Sequence, residues 1–212
     1  MKQDQLNGYE KHRVRSLEQL EQLYDEAPAT SLLKEIDYIS DHYRAFIEKS
    51  PFVVVASTGP GGLDCSPRGD PAGFVRVHDK HTVMMPDRRG NNRLDTIRNL
   101  IVDPRASLLF LIPGLGNTLR INGRGYVLTE SALLESFAIK GKLPKTVLMF
   151  KVDRIYFQCP KALVRSRLWD PNTQIERSEL PSTGEILQAL KEDFDGAAYD
   201  QNYAQHMKRT IY

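Results

Sequence analysis

The chain has 212 residues, of which 41% are hydrophobic and 26% are charged, values that are ordinary for a globular protein. The net charge of +2 argues against a nucleic-acid partner, because the arginines are spread among acidic residues and form no basic stripe. No apolar run approaches membrane-spanning length, so we expect one large domain, or one domain with extensions, that does not enter a membrane.

The first region, residues 16–50, has the apolar spacing of helices. Hydrophobic residues recur three or four positions apart in two groups, at 17–23 and at 36–47. Pro28 separates the groups and Pro51 ends the second one. The pattern predicts an N-terminal helical extension over residues 1–50.

Residues 51–171 change to the two-residue period of strands. Short β-type runs lie at 52–58, 73–78, 81–86, 106–112, 118–129 and 144–158. Asp79-Lys80 is short enough to be a hairpin turn. Two helices are predicted among the strands, at 91–102 and at 131–140. Because helices and strands do not alternate, the fold class is mainly β with helices, an antiparallel barrel with helical decoration.

The last region, residues 172–212, is polar and contains one predicted helix at 185–194. The tail after Gly196 is predicted to be an arm or a partly ordered end.

The stretch 86–93 is the most informative part of the chain, because it combines glycine, asparagine and arginine just before an amphipathic helix. Asn91 or Asn92 can cap that helix through the side-chain amide. Three arginines surround the same helix start: Arg88, Arg89 and Arg93. The helix dipole disfavours positive charge there, so the pattern indicates an anion such as a phosphate. A solvated basic turn is the alternative on these residues alone.

Several motifs follow one another in a set order: Ser66-Pro-Arg-Gly-Asp70, Gly90-Asn-Asn-Arg93, Asp103-Pro-Arg-Ala-Ser-Leu-Leu-Phe110 and Leu119-Arg-Ile-Asn-Gly-Arg-Gly125. Their order and spacing resemble the pyridoxamine 5'-phosphate oxidase-like family, over about residues 38–171. The chain is most similar to a branch of uncharacterised flavoproteins that also carries a late Cys-Pro-Lys-Ala-Leu-Val-Arg-Ser-Arg-Leu-Trp segment. The resemblance implies an FMN-binding split β-barrel over residues 51–171 and FMN as the cofactor.

The resemblance also implies which residues hold the cofactor. The FMN phosphate is expected at Asn91, Asn92 and Arg93, with Arg68 reaching it from the preceding strand. The ring and the ribityl chain are expected along two strands, at Met84, Met85, Pro86, Asp87, Thr118 and Arg120. Two alternatives stay open, namely that Asp87 caps its turn and that Arg120 is an exposed strand arginine.

Proteins of this family pair as homodimers with the flavin between the subunits. The resemblance therefore implies that a partner chain contributes late residues to the site: Gln158, Lys161, Arg165, Ser166 and Trp169. The alternative is that Trp169 packs the dimer interface and that the basic residues pair with surface acids.

The chain departs from true pyridoxamine phosphate oxidases in two respects. Those enzymes end in a motif with arginine and histidine that grips the substrate phosphate, whereas residues 205–212 carry no such motif. They also carry a lysine just after the first phosphate-gripping strand, whereas this chain has Asp70 near that position. A negative charge there would repel a phosphorylated substrate. Both departures argue against oxidation of a vitamin B6 phosphate.

The expected chemistry belongs to the cofactor, because flavin carries hydride or electrons itself. The five histidines lie in unrelated segments, and the two cysteines form neither a metal pattern nor a disulfide framework. The cysteine usage and the lack of a signal peptide favour a cytoplasmic protein. The resemblance implies an FMN-dependent oxidoreductase that acts on a small molecule, with NADH or NADPH as a candidate donor. The alternative is a non-catalytic binding protein for flavin, haem or deazaflavin.

Overall fold

The computed structural model describes residues 8–212, so the first seven residues of the predicted N-terminal extension lie outside it. The described residues form two compact units that meet in sequence between Glu35 and Ile36. The first unit contains a short 3-10 helix and two short α-helices: Glu10–His12, α1 (Leu17–Glu21) and α2 (Ala29–Leu33). Its predicted apolar stripe stays exposed, since Leu17 and Leu23 are 72% and 65% accessible.

The second unit, Ile36–Tyr212, is built on a seven-stranded antiparallel sheet. Its strands are β1 (Phe52–Gly59), β2 (Gly62–Gly69), β3 (Arg76–Asp79), β4 (Thr82–Asp87), β5 (Arg105–Leu111), β6 (Thr118–Leu128) and β7 (Thr146–Gln158). The order in the sheet is β2-β1-β5-β6-β7-β4-β3. This is the predicted split β-barrel. A hairpin joins β3 to β4 as expected, but its turn residues are Lys80 and His81, one position later than predicted.

The helices of this unit lie before, between and after the strands. They are α3 (Asp41–Lys49), α4 (Asp95–Val102), α5 (Ser131–Ser136), α6 (Lys161–Ser166), α7 (Thr183–Leu190) and α8 (Gly196–Thr210). The tail predicted as an arm is therefore a helix, α8, which Asp195 caps by accepting from the Ala198 N–H. No helix among residues 8–212 is both long and apolar enough to cross a membrane.

The compact unit that holds the sheet begins at Ile36, so α3 lies in it together with the strands. The predicted divisions after residues 50 and 171 stay predictions. Helix α7 starts two residues earlier than predicted, because Ser182 and Glu185 form a capping box at its first turn.

The core lies where the inward faces of the strands meet α3 and α4. Alternate side chains of β1, β5 and β6 are almost fully buried, as the two-residue period predicted. The largest of the buried side chains include Phe110, Leu119, Ile121, Phe150 and Ile155. Ile47 from α3 and Leu100 from α4 extend the same cluster. The barrel and α4 are therefore rigidly joined, which holds the start of α4 in place.

The longest strand pairing, β6 with β7, shifts register between Asn122 and Gly123. A Cβ atom on Gly123 would lie 1.9 Å from the carbonyl oxygen of Lys151. Because both groups belong to backbones in a ladder, no side chain can rotate away to make room. The bulge therefore requires glycine at this position.

Candidate functional site

A cleft of about 890 Å³ opens where the ends of β2 and β4 meet the start of α4. The loop 88–94, the segment 142–146 and Tyr212 complete its walls. Its volume lies within the range of small-molecule binding sites, roughly 300–1,000 Å³. The cleft is therefore the candidate site for the predicted cofactor residues.

Many of the predicted cofactor residues do line this cleft: Arg68, Pro86, Asp87, Asn91, Asn92 and Arg93. Met84 and Met85 precede them on β4 without lining the cleft, and Met85 is fully buried in the core. Residues that are 25 positions apart in the sequence, such as Arg68 and Arg93, thus share one cavity.

The other predicted residues form a second group at the far end of β7. Thr118 Oγ1 donates to Gln158 Oε1 at 3.1 Å, and Arg120 Nη1 lies 3.4 Å from the Tyr156 hydroxyl. Helix α6, which follows β7, carries the rest of this group: Lys161, Arg165 and Ser166. Gln158 lies twelve residues after Thr146 of the cleft on the same strand, which is about 40 Å of extended chain. None of these residues lines the cleft of this chain.

The start of α4 differs from the prediction. Its N-cap residue is Leu94, which makes no side-chain cap hydrogen bond. Asn91 Oδ1 instead accepts from the backbone N–H of Arg93 at 3.1 Å, which closes a local turn ahead of the helix. The prediction that an asparagine caps α4 is therefore wrong. As a result, the first turn of α4, residues 95–97, borders the cleft without a side-chain cap.

The same loop contains two non-glycine residues in the left-handed region, Asn92 with φ of 59° and Leu94 with φ of 62°. Asparagine tolerates this conformation, whereas a leucine there costs about 1–2 kcal/mol. Leu94 is 43% accessible, so burial of its side chain offsets little of that cost. Backbone strain of this kind concentrates at functional sites.

We expect Leu94→Gly to raise the free energy of unfolding by about 0.5 kcal/mol, because glycine relieves the strain but adds entropy to the unfolded chain. The matched control is Arg98→Gly, an exposed position inside α4, which should lose about 1 kcal/mol. Urea unfolding followed by circular dichroism measures both variants. Equal losses in the two variants would show that Leu94 is not strained.

Basic residues outnumber acidic residues along the cleft. One of them, Arg88, is already hydrogen-bonded to other protein groups. Its Nε donates to Asp70 Oδ2 at 2.7 Å and its Nη1 donates to the Phe137 carbonyl at 2.9 Å. The Asp70 side chain is only 1% exposed. Asp70 therefore presents no free negative charge to the cleft, and this structure removes the repulsion that the sequence suggested.

Other cationic side chains of the cleft are more available than Arg88 to bind an anion. Arg93 is 76% exposed at its side chain and donates from Nε to Asp95 Oδ2 at 2.9 Å, a pair that water screens strongly. The side chains of Arg89 and Lys145 make no ion pair or hydrogen bond with any residue among 8–212. The cleft thus has positive charge that the described protein groups do not neutralise.

Arg68 and Asp87 face each other across the inner end of the cleft. Arg68 Nε lies 3.8 Å from Asp87 Oδ1, which is too long for a hydrogen bond. That Nε atom is buried and has no hydrogen-bond partner among the described residues, and the same is true of Thr146 Oγ1. Buried polar atoms are normally satisfied, so these two mark a place where a polar ligand group would complete the network.

Burial raises the pKa of Asp87 above its usual range, and the nearby Arg68 charge offsets part of the rise. The folded protein therefore keeps the Asp87 proton to higher pH than the unfolded chain does. This difference in the pKa of Asp87 stabilises the folded protein. The stabilisation is complete below pH 3.8, the ordinary pKa of the group, and is lost as pH rises through the raised pKa.

We expect Asp87→Asn to gain stability relative to the wild type as pH rises from about 4 to about 7, because asparagine has no charge to bury. Urea unfolding at a series of pH values measures the difference between the two proteins. Asp103→Asn is the control: Asp103 has a lowered pKa, owing mainly to its hydrogen bond from Arg105, so that variant should show no such gain. A pH-independent difference for Asp87→Asn would contradict the prediction.

No described histidine lines the cleft, and His81 Nδ1 lies 2.9 Å from the Asp37 carbonyl oxygen. Within residues 8–212 there is no group of three or more His, Cys, Asp or Glu side chains that could hold a metal ion. Cys65 and Cys159 are exposed free thiols. The described cleft therefore offers arginine, lysine, carboxylate and tyrosine groups for binding, without a histidine for acid–base work.

Sequence reasoning missed the residues that reach the cleft from distant segments: Ser66, Thr96, Lys142, Lys145, Thr146 and Tyr212. Ser66 and Thr96 meet at Asp64, whose Oδ2 accepts from Thr96 Oγ1 at 2.6 Å and from Ser66 Oγ at 3.1 Å. This link ties β2 to the first turn of α4. Ser66 lies in the Ser66-Pro-Arg-Gly-Asp70 motif and Thr96 in the helix predicted at 91–102, but no local signal marks the others as site residues.

Comparison with known proteins assigns the family. Residues 39–159, more than half of the chain, match the family model described as pyridoxamine 5'-phosphate oxidase. The chain belongs to the pyridoxamine 5'-phosphate oxidase family. The matched residues of this family include all seven strands and α4, and they end before α6, α7 and α8.

Several solved structures are similar to part of the chain. HupZ of Group A Streptococcus is 20% identical, with 57% of this chain covering 94% of that chain at a TM-score of 0.46. An FMN-binding protein of Syntrophomonas wolfei is 15% identical, with 54% and 86% covered and a TM-score of 0.40. General Stress Protein 26 of Bacillus anthracis is 13% identical, with 53% and 88% covered and a TM-score of 0.39. At these values the three likenesses say nothing about function. No curated protein matches the chain.

Proposed function

We propose that this protein binds FMN in the cleft, with the terminal phosphate at the start of α4. The observation that carries the proposal is that start itself: its first turn has no side-chain cap, and Arg68, Arg89 and Arg93 border the same cavity. A phosphate is stabilised by free backbone N–H groups and by guanidinium donors. Membership of the pyridoxamine 5'-phosphate oxidase family supports the choice of a flavin phosphate.

The open edge of β4 fits the flavin ring. Strand β3 pairs with β4 only as far as Met84, whereas Met85–Asp87 pair with β7 alone. Backbone polar groups at this end of β4 therefore have no strand neighbour on one side, and they border the cleft at Pro86 and Asp87. Together with the orphaned Arg68 Nε and Thr146 Oγ1 atoms, they supply polar partners for the ring and the ribityl chain.

We also propose that the working form is a homodimer with FMN at the subunit interface. The group around Thr118, Arg120 and Gln158 does not line the cleft of its own chain. A second copy of the chain is what would bring this group, with Lys161, Arg165 and Ser166 of α6, to the flavin. Light scattering of the FMN-loaded protein tests this, and a monomer that retains FMN would contradict it.

The proposed activity is the oxidation or reduction of a small molecule. Bound FMN supplies hydride and electron transfer. The residues of this chain hold the phosphate, present a backbone edge to the ring and keep Asp87 in a site where burial favours its protonated form. NADH or NADPH is the proposed electron donor.

The phosphate site is tested with three variants of matched charge. Arg68→Met and Arg93→Ala should each weaken FMN binding roughly 10- to 100-fold, the effect of losing a charge-assisted contact worth about 1.5–3 kcal/mol. Arg98→Ala removes an exposed arginine of α4 that does not line the cleft, so its affinity should equal that of the wild type. Quenching of flavin fluorescence gives the dissociation constants. A wild type that does not bind FMN, or equal losses in all three variants, would overturn the proposal.

The activity is tested separately, by mixing the FMN-loaded protein with NADH or NADPH without oxygen. Bleaching of the visible flavin absorption supports an oxidoreductase. Failure to bleach with either donor would remove the nicotinamide donors from the proposal and favour the alternative of a non-catalytic flavin-binding protein.

A further inference from the structure

The end of α8 brings an aromatic side chain to the cleft. Tyr212 lines the cavity and donates its hydroxyl hydrogen to Asp70 Oδ1 at 2.8 Å. Its backbone oxygen accepts from Lys142 Nζ at 2.6 Å, and the ammonium of Lys140 lies 5.8 Å from its ring centroid. Groups from two separate segments of the cleft wall thus hold one residue.

Asp70 makes this a specific docking contact. Its side chain is 1% exposed, and Oδ2 already accepts from Arg88. Tyr212 supplies the donor for the other oxygen. The hydrogen bond from Tyr212 to the carboxylate of Asp70 favours the docked position of Tyr212 over an open one.

The base of α8 is anchored independently of this tip. Asp200 accepts hydrogen bonds from the Ser182 hydroxyl and from the Gly184 N–H, the latter at 2.9 Å, at the start of α7. A Cβ on Gly184 would lie 2.1 Å from the Gly196 carbonyl oxygen, so the two helices touch backbone to backbone. Because α8 ends at Thr210, Tyr212 can leave the cleft while the α7–α8 contact stays intact.

The docked tyrosine forms a wall and does not fill the cavity. The volume of about 890 Å³ is the volume that remains with Tyr212 in place. This is still large enough for a ligand of cofactor size. Tyr212 can therefore stay docked while a ligand occupies the cleft, and it does not compete with the ligand for space.

We propose that Tyr212 is a latch that retains FMN in the cleft. The inference rests on the proposed function, and it goes beyond the family match, which ends at residue 159. FMN enters while Tyr212 is undocked, and the contacts with Asp70 and Lys142 then close the wall behind it. Because Tyr212 also docks in the FMN-free cleft, the latch slows release and entry, and retention is measured by the rate of release.

The test compares FMN release from the wild type, Tyr212→Phe and Tyr212→Ala, followed as recovery of flavin fluorescence after dilution. Tyr212→Phe loses only the hydrogen bond to Asp70, and its release should be about tenfold faster. Tyr212→Ala also loses the ring, so its release should be at least as fast. The control is Tyr203→Phe, a partly exposed tyrosine of α8 that stacks on Tyr199 away from the cleft and should release FMN like the wild type.

Three results would overturn the latch. Release rates of both Tyr212 variants within twofold of the wild type would show that Tyr212 retains nothing. Tighter FMN binding in Tyr212→Ala, with release no faster than in the wild type, would show that Tyr212 blocks the cleft. Equal amide hydrogen exchange at residues 211–212 in the FMN-free wild type and Tyr212→Phe would show that the tip does not dock. A wild type that binds no FMN would overturn the proposed function and the retention role together, which separates that failure from the other three.

Discussion

Gly123→Ala is expected to lower the free energy of unfolding by about 3 kcal/mol, the largest effect of a single methyl group in this barrel. The new Cβ would lie 1.9 Å from the Lys151 carbonyl oxygen and 3.3 Å from the Asp153 nitrogen. Both atoms belong to the backbone of β7, so relief requires the two longest strands to move apart at the bulge. That movement breaks ladder hydrogen bonds at the centre of the sheet.

Gly61→Ala is the matched control for this prediction. It adds the same methyl group at a turn where no heavy atom lies within 4 Å and where φ is outside the left-handed region. Its effect should be within about 0.5 kcal/mol of zero. Urea unfolding followed by circular dichroism measures both variants. A loss below about 1 kcal/mol in Gly123→Ala would show that the bulge can relax around a side chain.

Asp70→Ala is expected to cost about 3 kcal/mol, because it leaves the guanidinium of Arg88 without its counter-charge in a site where Arg88 is only 19% exposed. The substitution also removes the acceptor of the Tyr212 hydroxyl. The effect should be much larger than that of an ordinary surface carboxylate, since removing one partner of a buried ion pair strands the other.

A second substitution separates the stranded charge from the lost carboxylate. Arg88→Met in the Asp70→Ala background should restore at least half of the lost stability, because an apolar side chain leaves no charge to bury. The control is Asp95→Ala, whose partner Arg93 is 76% exposed, and it should cost no more than about 1 kcal/mol. Equal losses in Asp70→Ala and Asp95→Ala would show that burial of the Asp70–Arg88 pair has no energetic consequence.

Six of the seven strands were predictable because their signal is local, whereas β2 was missed because its side chains are exposed or only half-buried and show no apolar alternation. In β6, Leu119 and Ile121 alternate with Arg120 and Asn122, and burial of the apolar pair against the core follows directly from the two-residue period. Helix ends were less predictable. Ser182 and Glu185 form a capping box that starts α7 early, and α8 was missed because its polar residues pack mainly against another helix.

The loop 86–93 shows where local reasoning stops. Arginines around a helix start indicated an anion site, and the structure places Arg68 and Arg93 at one cleft. The sequence could not predict that Leu94 is the N-cap of α4. Leucine disfavours the left-handed φ that it adopts at this position. The commitment of Arg88 to Asp70 was equally invisible, because the two residues are 18 positions apart.

The sequence by itself determined an antiparallel barrel with helices and pointed to the loop 86–93, since strand periodicity and charge placement act over a few neighbouring residues; the split form of the barrel was implied by the family resemblance. Only the tertiary structure decided which arginines stay available, left Arg68 Nε buried without a partner and brought Tyr212 to Asp70. It also held the group at Gln158 away from the cleft. The physical reason is that burial and pairing depend on which distant segments meet, and this depends on strand order and helix packing, not on any short motif.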